Sequence, residues 1–312
     1  MNIGSDRNTV RAQCVTPQRL DTRISIHDKY SVNRTGFANW LFALCEPPEG
    51  ARVLELGCGT GALWQGRGEA VRRCARLCLT DLSEGMLENA RKAVGEQENV
   101  EYRIVDAMDL PYADGSFDLV FAHMMLYHVP DLGKALAEIR RVLAPDGVLW
   151  CATYGEHGIQ EFLAETFASF GVRDNLNRNF TLQNGEVALR RWFSEVTLYR
   201  YEDALHVTDV GDMADYALSL LSMEPLRAAA GRGHRGVRAA HGERHPHGSE
   251  GIRRIRGAKR RTIVNEAFRR VPDAALHHSI PYPQKRFPPD TADAVFQVGK
   301  RFSLSDYFIS RN

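Results

Sequence analysis

Three carboxylates stand behind short apolar runs: Glu55, Asp81 and Asp106. Glu55 lies within residues 53–64, VLELGCGTGALW, where Gly57, Gly59 and Gly61 follow an apolar run and open a helical pattern. Glycines at such a point let the backbone turn tightly and come close to a ligand. A strand, a glycine turn and a helix form the context that a nucleotide-type site needs. The spacing Gly57-x-Gly59-x-x-Ala62 also fits the permitted dinucleotide variant. No G-K-[ST] follows at the required interval, which excludes a P-loop. The acids carry more information. A carboxylate two residues before the first glycine is poorly suited to an anionic pyrophosphate and well suited to an ammonium group. Asp81, 20 residues after Gly61, suits a carboxylate accepting from two ribose hydroxyls in either ligand class. Asp106, in VDAMDLP, can accept from an adenine amino group while its neighbours pack on the ring.

The elements that position these acids follow from the hydrophobic pattern. Apolar runs predict strands at 53–56, 77–81, 100–106, 119–122 and 148–153. Helical spacing links Phe37, Trp40, Leu41 and Leu44, then Met86, Leu87, Ala90 and Val94 behind the N-cap Ser83, then Leu132, Ala135, Leu136, Ile139 and Leu143. Residues 145–147, PDG, predict a turn. Further helices are expected at 159–170, at 187–193 and around Met213 to Leu220, with strands from Val196 and over 204–210. Alternating helices and near-continuous apolar strands argue for an α/β fold with a parallel sheet covered on both faces. The three acids then share the carboxyl edge, where such sheets bind ligands.

The stretches VLELGCGTGALW, LTDLSEGML, VDAMDLPYADGSFDLVFAHMMLYHVPD and EIRRVLAPDGVLWCATYG occur in that order. Together they resemble the class I S-adenosylmethionine-dependent methyltransferases, in the group of small bacterial methyltransferase domain proteins, over roughly residues 25–226. The resemblance implies a Rossmann-like, seven-stranded sheet with helices on both faces and a last-formed antiparallel strand. It implies S-adenosylmethionine as cofactor, with Glu55 near the methionine amino group and Gly57, Cys58 and Gly59 under the methionine moiety. It also implies Asp81 on the ribose, Leu82 against the adenine, and Asp106 with Ala107 at the adenine edge. His123 follows the fourth strand, near where the methyl should sit, and reads either as a cofactor contact or as structure. Residues 27–33, HDKYSVN, become a lid segment that brings Tyr30 towards the cofactor.

The reaction so implied moves a methyl group to a small-molecule acceptor by in-line displacement. Alignment alone can supply about 7–11 kcal/mol in favourable cases. An acceptor that must lose a proton could use a histidine. His123, His128 and His157 are the candidates, with Tyr127 and Tyr154 beside them; none is assigned as the base. The fourth run ends in FAHMM rather than an N-P-P-Y type sequence, and no Pro-Cys pair is present, so base methylation of nucleic acid loses support. Phe162, Phe167, Phe170, Trp192, Phe193 and Tyr216 are expected to serve mainly as core, some lining an apolar acceptor pocket.

The 312 residues carry a net charge of +1 that hides an asymmetry, −10 over residues 1–226 and +11 over 227–312. Three regions are expected: a loose leader at 1–24, a methyltransferase domain at 25–226 and a basic tail at 227–312. Gly, Arg, His and Ala dominate 227–261, with too little apolar surface to offset the entropy of ordering. Arginine outnumbers lysine 34 to 6, consistent with GC-rich coding DNA, and a shifted reading frame there would yield such a composition. The tail is therefore expected to be disordered or aberrant and to leave the sheet without its last strand. DAVFQVGKRF, at 293–302, is the alternative that could fill the gap.

His241, His245 and His247 lack a carboxylate or cysteine framework at ligand spacing, so no metal is expected. No C-x-x-C pair occurs among the 6 cysteines, which reads as reduced thiols. The polar N-terminus is no secretory signal, and no apolar run reaches membrane-spanning length of about 18 residues. A cytoplasmic location without membrane partners is expected. Two other classes remain. A nicotinamide-dependent oxidoreductase is disfavoured by Glu55 and by the lack of a second mononucleotide-type half. A noncatalytic nucleic-acid-binding protein would use the basic tail, which has few interleaved aromatics.

Overall fold

Apolar runs with no polar face are stable only where both sides of the sheet are covered. In the computed structural model, which describes residues 17–226 and 293–299, four such runs and one half-exposed edge strand at Val100–Ile104 pair in parallel. They are β1 (Arg52–Leu56), β2 (Arg76–Asp81), β3 (Val100–Ile104), β4 (Phe117–His123) and β5 (Leu143–Thr153). With β6 (Glu195–Tyr201) and β7 (Asp293–Gly299) the sheet order is β3-β2-β1-β4-β5-β7-β6. β7 runs antiparallel to both of its neighbours, with Cys151 opposite Phe296 and Leu198 opposite Phe296.

The helices are α1 (Pro17–Tyr30), α2 (Phe37–Cys45), α3 (Gly68–Arg73), α4 (Glu84–Val94), α5 (Leu132–Val142), α6 (Ile159–Thr166), α7 (Gly185–Arg190) and α8 (Val210–Ser219). Side-chain caps fix three of their starts. Ser83 accepts from the Met86 amide, Asp131 from the Lys134 amide, and Asp209 from the amides of Gly211 and Asp212. α5 buries Ala135, Leu136, Ile139 and Val142 beneath Leu54, Leu56, Val120 and Ala122, on one face of the sheet. The opposite face packs Val53, Leu77, Leu79 and Phe121 against α2, α3, α4 and Trp64. A third apolar cluster joins α1, α6 and α8 through Ile26, Leu163, Phe167, Met213 and Ala217.

Four expectations are corrected. β5 and β6 are not left with unpaired facing edges, because Asp293–Gly299 pairs with both, as the alternative reading of 293–302 allows. Composition averaged over a long basic segment conceals a seven-residue strand, and two facing unpaired edges are a strong incentive to fill the gap. The helix α1 begins at Pro17, inside the expected leader, and reaches across residue 24. Its Ile26 is buried against α8, so tertiary packing outweighs the weak local pattern. Residues 145–147 form no separate turn but a bulge within β5, where the register jumps from Phe117–Leu143 to Leu119–Val148. Residues 204–210 form no strand; only Leu205 makes a bridge, to Ser31.

Of the expected core aromatics, Phe167, Phe193 and Tyr216 are buried, Phe162 and Trp192 pack partly buried against them, and Phe170 is exposed. Among the described residues no helix is long and apolar enough to cross a membrane.

Candidate functional site

β1 ends at Leu56 and the chain turns at once. Gly57, Gly59 and Gly61 take φ of 67°, 55° and 76°, values that residues with a Cβ rarely adopt. At Gly57 a Cβ would stand 2.8 Å from the Met125 Cβ, closer than real contacts allow. At Gly59 nothing lies within 4 Å, so this part of the loop faces open space. The loop is tied to β2 by two amides. Cys58 donates to the Thr80 carbonyl at 2.9 Å, and Gly59 donates to Asp81 Oδ2 at 3.0 Å.

Asp81 therefore organises the edge. Its Oδ1 accepts from the Ser83 amide at 2.9 Å at the start of α4, and its carbonyl accepts from the Val105 amide at 3.2 Å. Burial pushes its carboxyl above the usual range against the pull of these amides. A carboxylate offers about four acceptor positions, so capacity remains for further donors. Leu82 beside it is half-buried. Beyond Val105, Asp106 Oδ1 accepts from the Met108 amide at 2.9 Å, and Ala107 is buried. Gly57, Cys58, Gly59, Asp81 and Asp106 are thus joined by short backbone links at one edge.

Glu55 lies one step inside. It is 4% exposed, and its Oε2 accepts from Trp64 Nε1 at 2.6 Å. Burial pushes its carboxyl up to about 7; the indole bond lowers it and the charge of Asp81 raises it. Phe121 on β4 stands opposite Glu55 and stacks on the Trp64 ring, with centroids 6.0 Å apart. Sequence reasoning did not single out Trp64. The available signal was that a buried indole N–H requires an acceptor, and Glu55 is the carboxylate in the same stretch.

Two residues further along β4, on the face of Phe121, comes His123. Its ring lies 5.3 Å from that of Phe121. Both ring nitrogens are buried and meet no hydrogen-bond partner among the described residues. Burial pushes its pKa down to about 3, so the imidazole is neutral. The next residue, Met124, has φ of 54°, the one non-glycine residue with positive φ among those described. Met125 then packs on Gly57.

The other predicted residues sit elsewhere. Tyr30 donates its hydroxyl to Asp212 Oδ2 on α8 at 2.8 Å, beside Lys29 at 2.9 Å. The segment 27–33 is pinned to 203–206, with the Val32 amide on the Ala204 carbonyl and the Ser31 hydroxyl on Asp203. His157 is exposed, with Nδ1 3.1 Å from Glu161 Oε2 on α6. His128 lies in the short turn Leu126–His128, its ring against Tyr127. Tyr127 and Tyr154 have ring centroids 4.5 Å apart at the ends of β4 and β5.

A strap from Val172 to Leu182 crosses there. Asn177 Nδ2 donates to the Tyr127 carbonyl at 2.6 Å, Asn179 Nδ2 to the Val129 carbonyl at 2.6 Å, and the Thr153 hydroxyl to the Phe180 carbonyl at 2.7 Å. Sequence reasoning missed both asparagines, which sit in a stretch without periodicity.

Residues 54–151 match the family described as Methyltransferase domain. The chain is 35% identical over 176 residues to a malonyl-[acyl-carrier protein] O-methyltransferase of Geobacter sulfurreducens, covering 54% of this chain and 65% of that protein. It is 32% identical over 180 residues to the protein of the same name from Halorhodospira halophila, covering 57% and 60%. A demethylmenaquinone methyltransferase of Staphylococcus aureus is 39% identical over 103 residues, 33% of this chain and 43% of that one. The chain spans less than two thirds of the length of these relatives. Among solved structures, a phosphoethanolamine N-methyltransferase 2 of Haemonchus contortus superposes with a TM-score of 0.53 at 18% identity, covering 95% of this chain and 60% of that one. A Bacillus halodurans protein does so with a TM-score of 0.50 at 14% identity, covering 85% and 99%. At these identities the likeness concerns the fold.

Proposed function

We propose that this chain, a member of the class I S-adenosylmethionine-dependent methyltransferases, moves a methyl group from that donor to a small-molecule acceptor by in-line displacement. The observation that carries the reading is the position of Asp81, which ties the Gly59 amide and the start of α4 to one carboxylate. The residues present fit the donor. The glycine turn packs at Gly57 against Met125, its middle glycine Gly59 faces open space, and Asp81 retains acceptor capacity.

In this reading Glu55 serves the ammonium group, and the backbone of Gly57, Cys58 and Gly59 lies beneath the methionine moiety. Asp81 holds the ribose hydroxyls, Leu82 packs on the adenine, and Asp106 with Ala107 meets its edge. When bound, the donor supplies a methyl group already activated on a positively charged sulfur. The chain's own work is then alignment and exclusion of water. The strap over β4 and β5, latched by Asn177 and Asn179, closes the acceptor side. His157 is too exposed and too well paired with Glu161 to be a buried base, and Tyr30 acts through the α1–α8 contact rather than as a ligand group.

Acceptors of the kind named for the relatives, malonyl-[acyl-carrier protein] and demethylmenaquinone, are the first to try. The test is transfer of labelled methyl from S-adenosylmethionine to these two compounds and to a metabolite extract. Label in either compound, or in a small molecule of the extract, supports the reading. Label in none of them, with tight binding of NAD instead, rejects it in favour of an oxidoreductase.

A further inference from the structure

The loop from Val105 to Gly115 carries Asp106 and Ala107 away from β3, and two side chains of α5 hold it. Glu138 and Arg141 pair through two bonds of 2.8 Å, Nε to Oε1 and Nη2 to Oε2. Together they grip the backbone of the loop. Leu110 donates its amide to Glu138 Oε2 at 2.8 Å, and its carbonyl accepts from Arg141 Nη2 at 2.8 Å. The Tyr112 carbonyl accepts from Arg141 Nη1 at 2.7 Å, and Asp114 Oδ1 accepts from the same nitrogen at 2.9 Å. The Gly115 amide donates to the Arg141 carbonyl at 3.0 Å. A guanidinium has five N–H groups, and all five are engaged here. Arg141 also holds the Glu138 carboxyl below its usual range.

The chain between β3 and this clamp is short. The Val105 amide is fixed to the Asp81 carbonyl, Asp106 accepts from the amides of Met108 and Asp109, and Leu110 follows at once. Ala107, Met108 and Leu110 are buried in the cluster that α5 completes. Asp106 thus sits between two fixed points, β2 on one side and the Glu138–Arg141 pair on the other. Charge-assisted bonds to backbone are strong and directional, and a planar fork sets a position that a flexible ammonium would not.

We infer that Arg141, braced by Glu138, is a positioning residue for the base of the methyl donor: it sets the loop so that Asp106 meets the exocyclic amino group of adenine, and so selects adenine over a purine that lacks this group. The inference rests on the proposed function and deepens it. Both side chains act through the backbone of Leu110 and Tyr112 rather than by touching the ligand. A hydrogen bond fails beyond roughly 3.5 Å, so a loop shift of less than about 1 Å removes the contact. Hypoxanthine presents a carbonyl where adenine has its amino group, which sets acceptor against acceptor at Asp106.

The test compares S-adenosylhomocysteine with S-inosylhomocysteine by titration calorimetry on the full chain. The unaltered chain is expected to prefer the adenine ligand by roughly tenfold or more. Arg141→Lys is expected to lower that preference at least roughly fivefold, part of the worth of a hydrogen bond to a charged group. Glu138→Gln, which keeps an acceptor for the Leu110 amide, is expected to lower it less. In an Asp106→Ala background, Arg141→Lys is expected to change the preference no further, because the clamp acts through that carboxylate. A clamp that serves stability alone lowers the melting temperature and leaves the preference as it was. An unchanged preference in Arg141→Lys therefore overturns the inference, as does a further fall in the Asp106→Ala background. If Arg141→Lys does not fold, an unchanged preference in Glu138→Gln overturns it instead. If the unaltered chain binds both ligands equally, this inference fails while the proposed function stands. If it binds neither, both fail.

Discussion

Replacing Trp64 with phenylalanine removes one hydrogen bond from a buried carboxyl and leaves a small void where the larger indole packed. The indole Nε1 lies 2.6 Å from Glu55 Oε2, and the ring retains neighbours in Phe42 and Phe121 that a phenyl group can still touch. A hydrogen bond to a charged group contributes about 1.5–3 kcal/mol. At 1.36 kcal/mol per pKa unit, its loss raises the Glu55 pKa by about 1–2 units. The starting point is about 7, set by burial. Ammonium binding needs the ionised carboxylate, so S-adenosylhomocysteine affinity weakens as pH falls through the Glu55 pKa. Titration calorimetry from pH 6 to 9.5 should place that midpoint near 7 in the unaltered chain and about 1–2 units higher in Trp64→Phe. A midpoint that does not move while the variant remains folded refutes the link between Trp64, Glu55 and the ligand.

Other perturbations separate the site from its scaffold. The folded Glu55 binds its proton more tightly than the unfolded chain does, so its contribution lowers stability as pH rises from about 4.5 to about 7. Glu55→Gln should therefore raise the melting temperature at pH 8 while weakening S-adenosylhomocysteine; a lower melting temperature there would contradict the buried charge. Gly57→Ala must displace Met125 and adopt a positive φ, whereas Gly59→Ala meets only the backbone penalty of about 1–2 kcal/mol. Thermal melts should show the first variant less stable than the second, and the reverse order would contradict the packing at Met125. Deleting residues 293–312 removes β7 and leaves β5 and β6 with unpaired edges. The truncated chain should melt earlier or aggregate; full stability would show that β7 adds nothing to the sheet.

What could be read from the sequence was local. The apolar runs ending at Leu56, Asp81 and Ala122, the glycines between 57 and 61 and the cap at Ser83 depend on neighbours within a few residues, and their patterns are visible in one dimension. The hidden features depend on contacts between distant segments. Trp64 matters because Phe121 arrives from β4, and Asn177 matters because the strap reaches back to Tyr127. Tyr30 sits at the end of a helix whose partner α8 lies far along the chain, so its bond to Asp212 was not legible in the segment 27–33. β7 was legible only as the alternative reading of 293–302. A strand of seven residues inserted between two existing edges needs little sequence signal of its own, because its neighbours supply the register.

The direct measurement is calorimetric titration of S-adenosylhomocysteine, and separately of NAD, into the full chain and into Asp81→Ala. The expected outcome is saturable one-to-one binding of S-adenosylhomocysteine, no comparable binding of NAD, and a loss of at least roughly tenfold on Asp81→Ala, about 1.4 kcal/mol. Equal affinity in the variant, or a preference for NAD, contradicts a donor site built around that carboxylate.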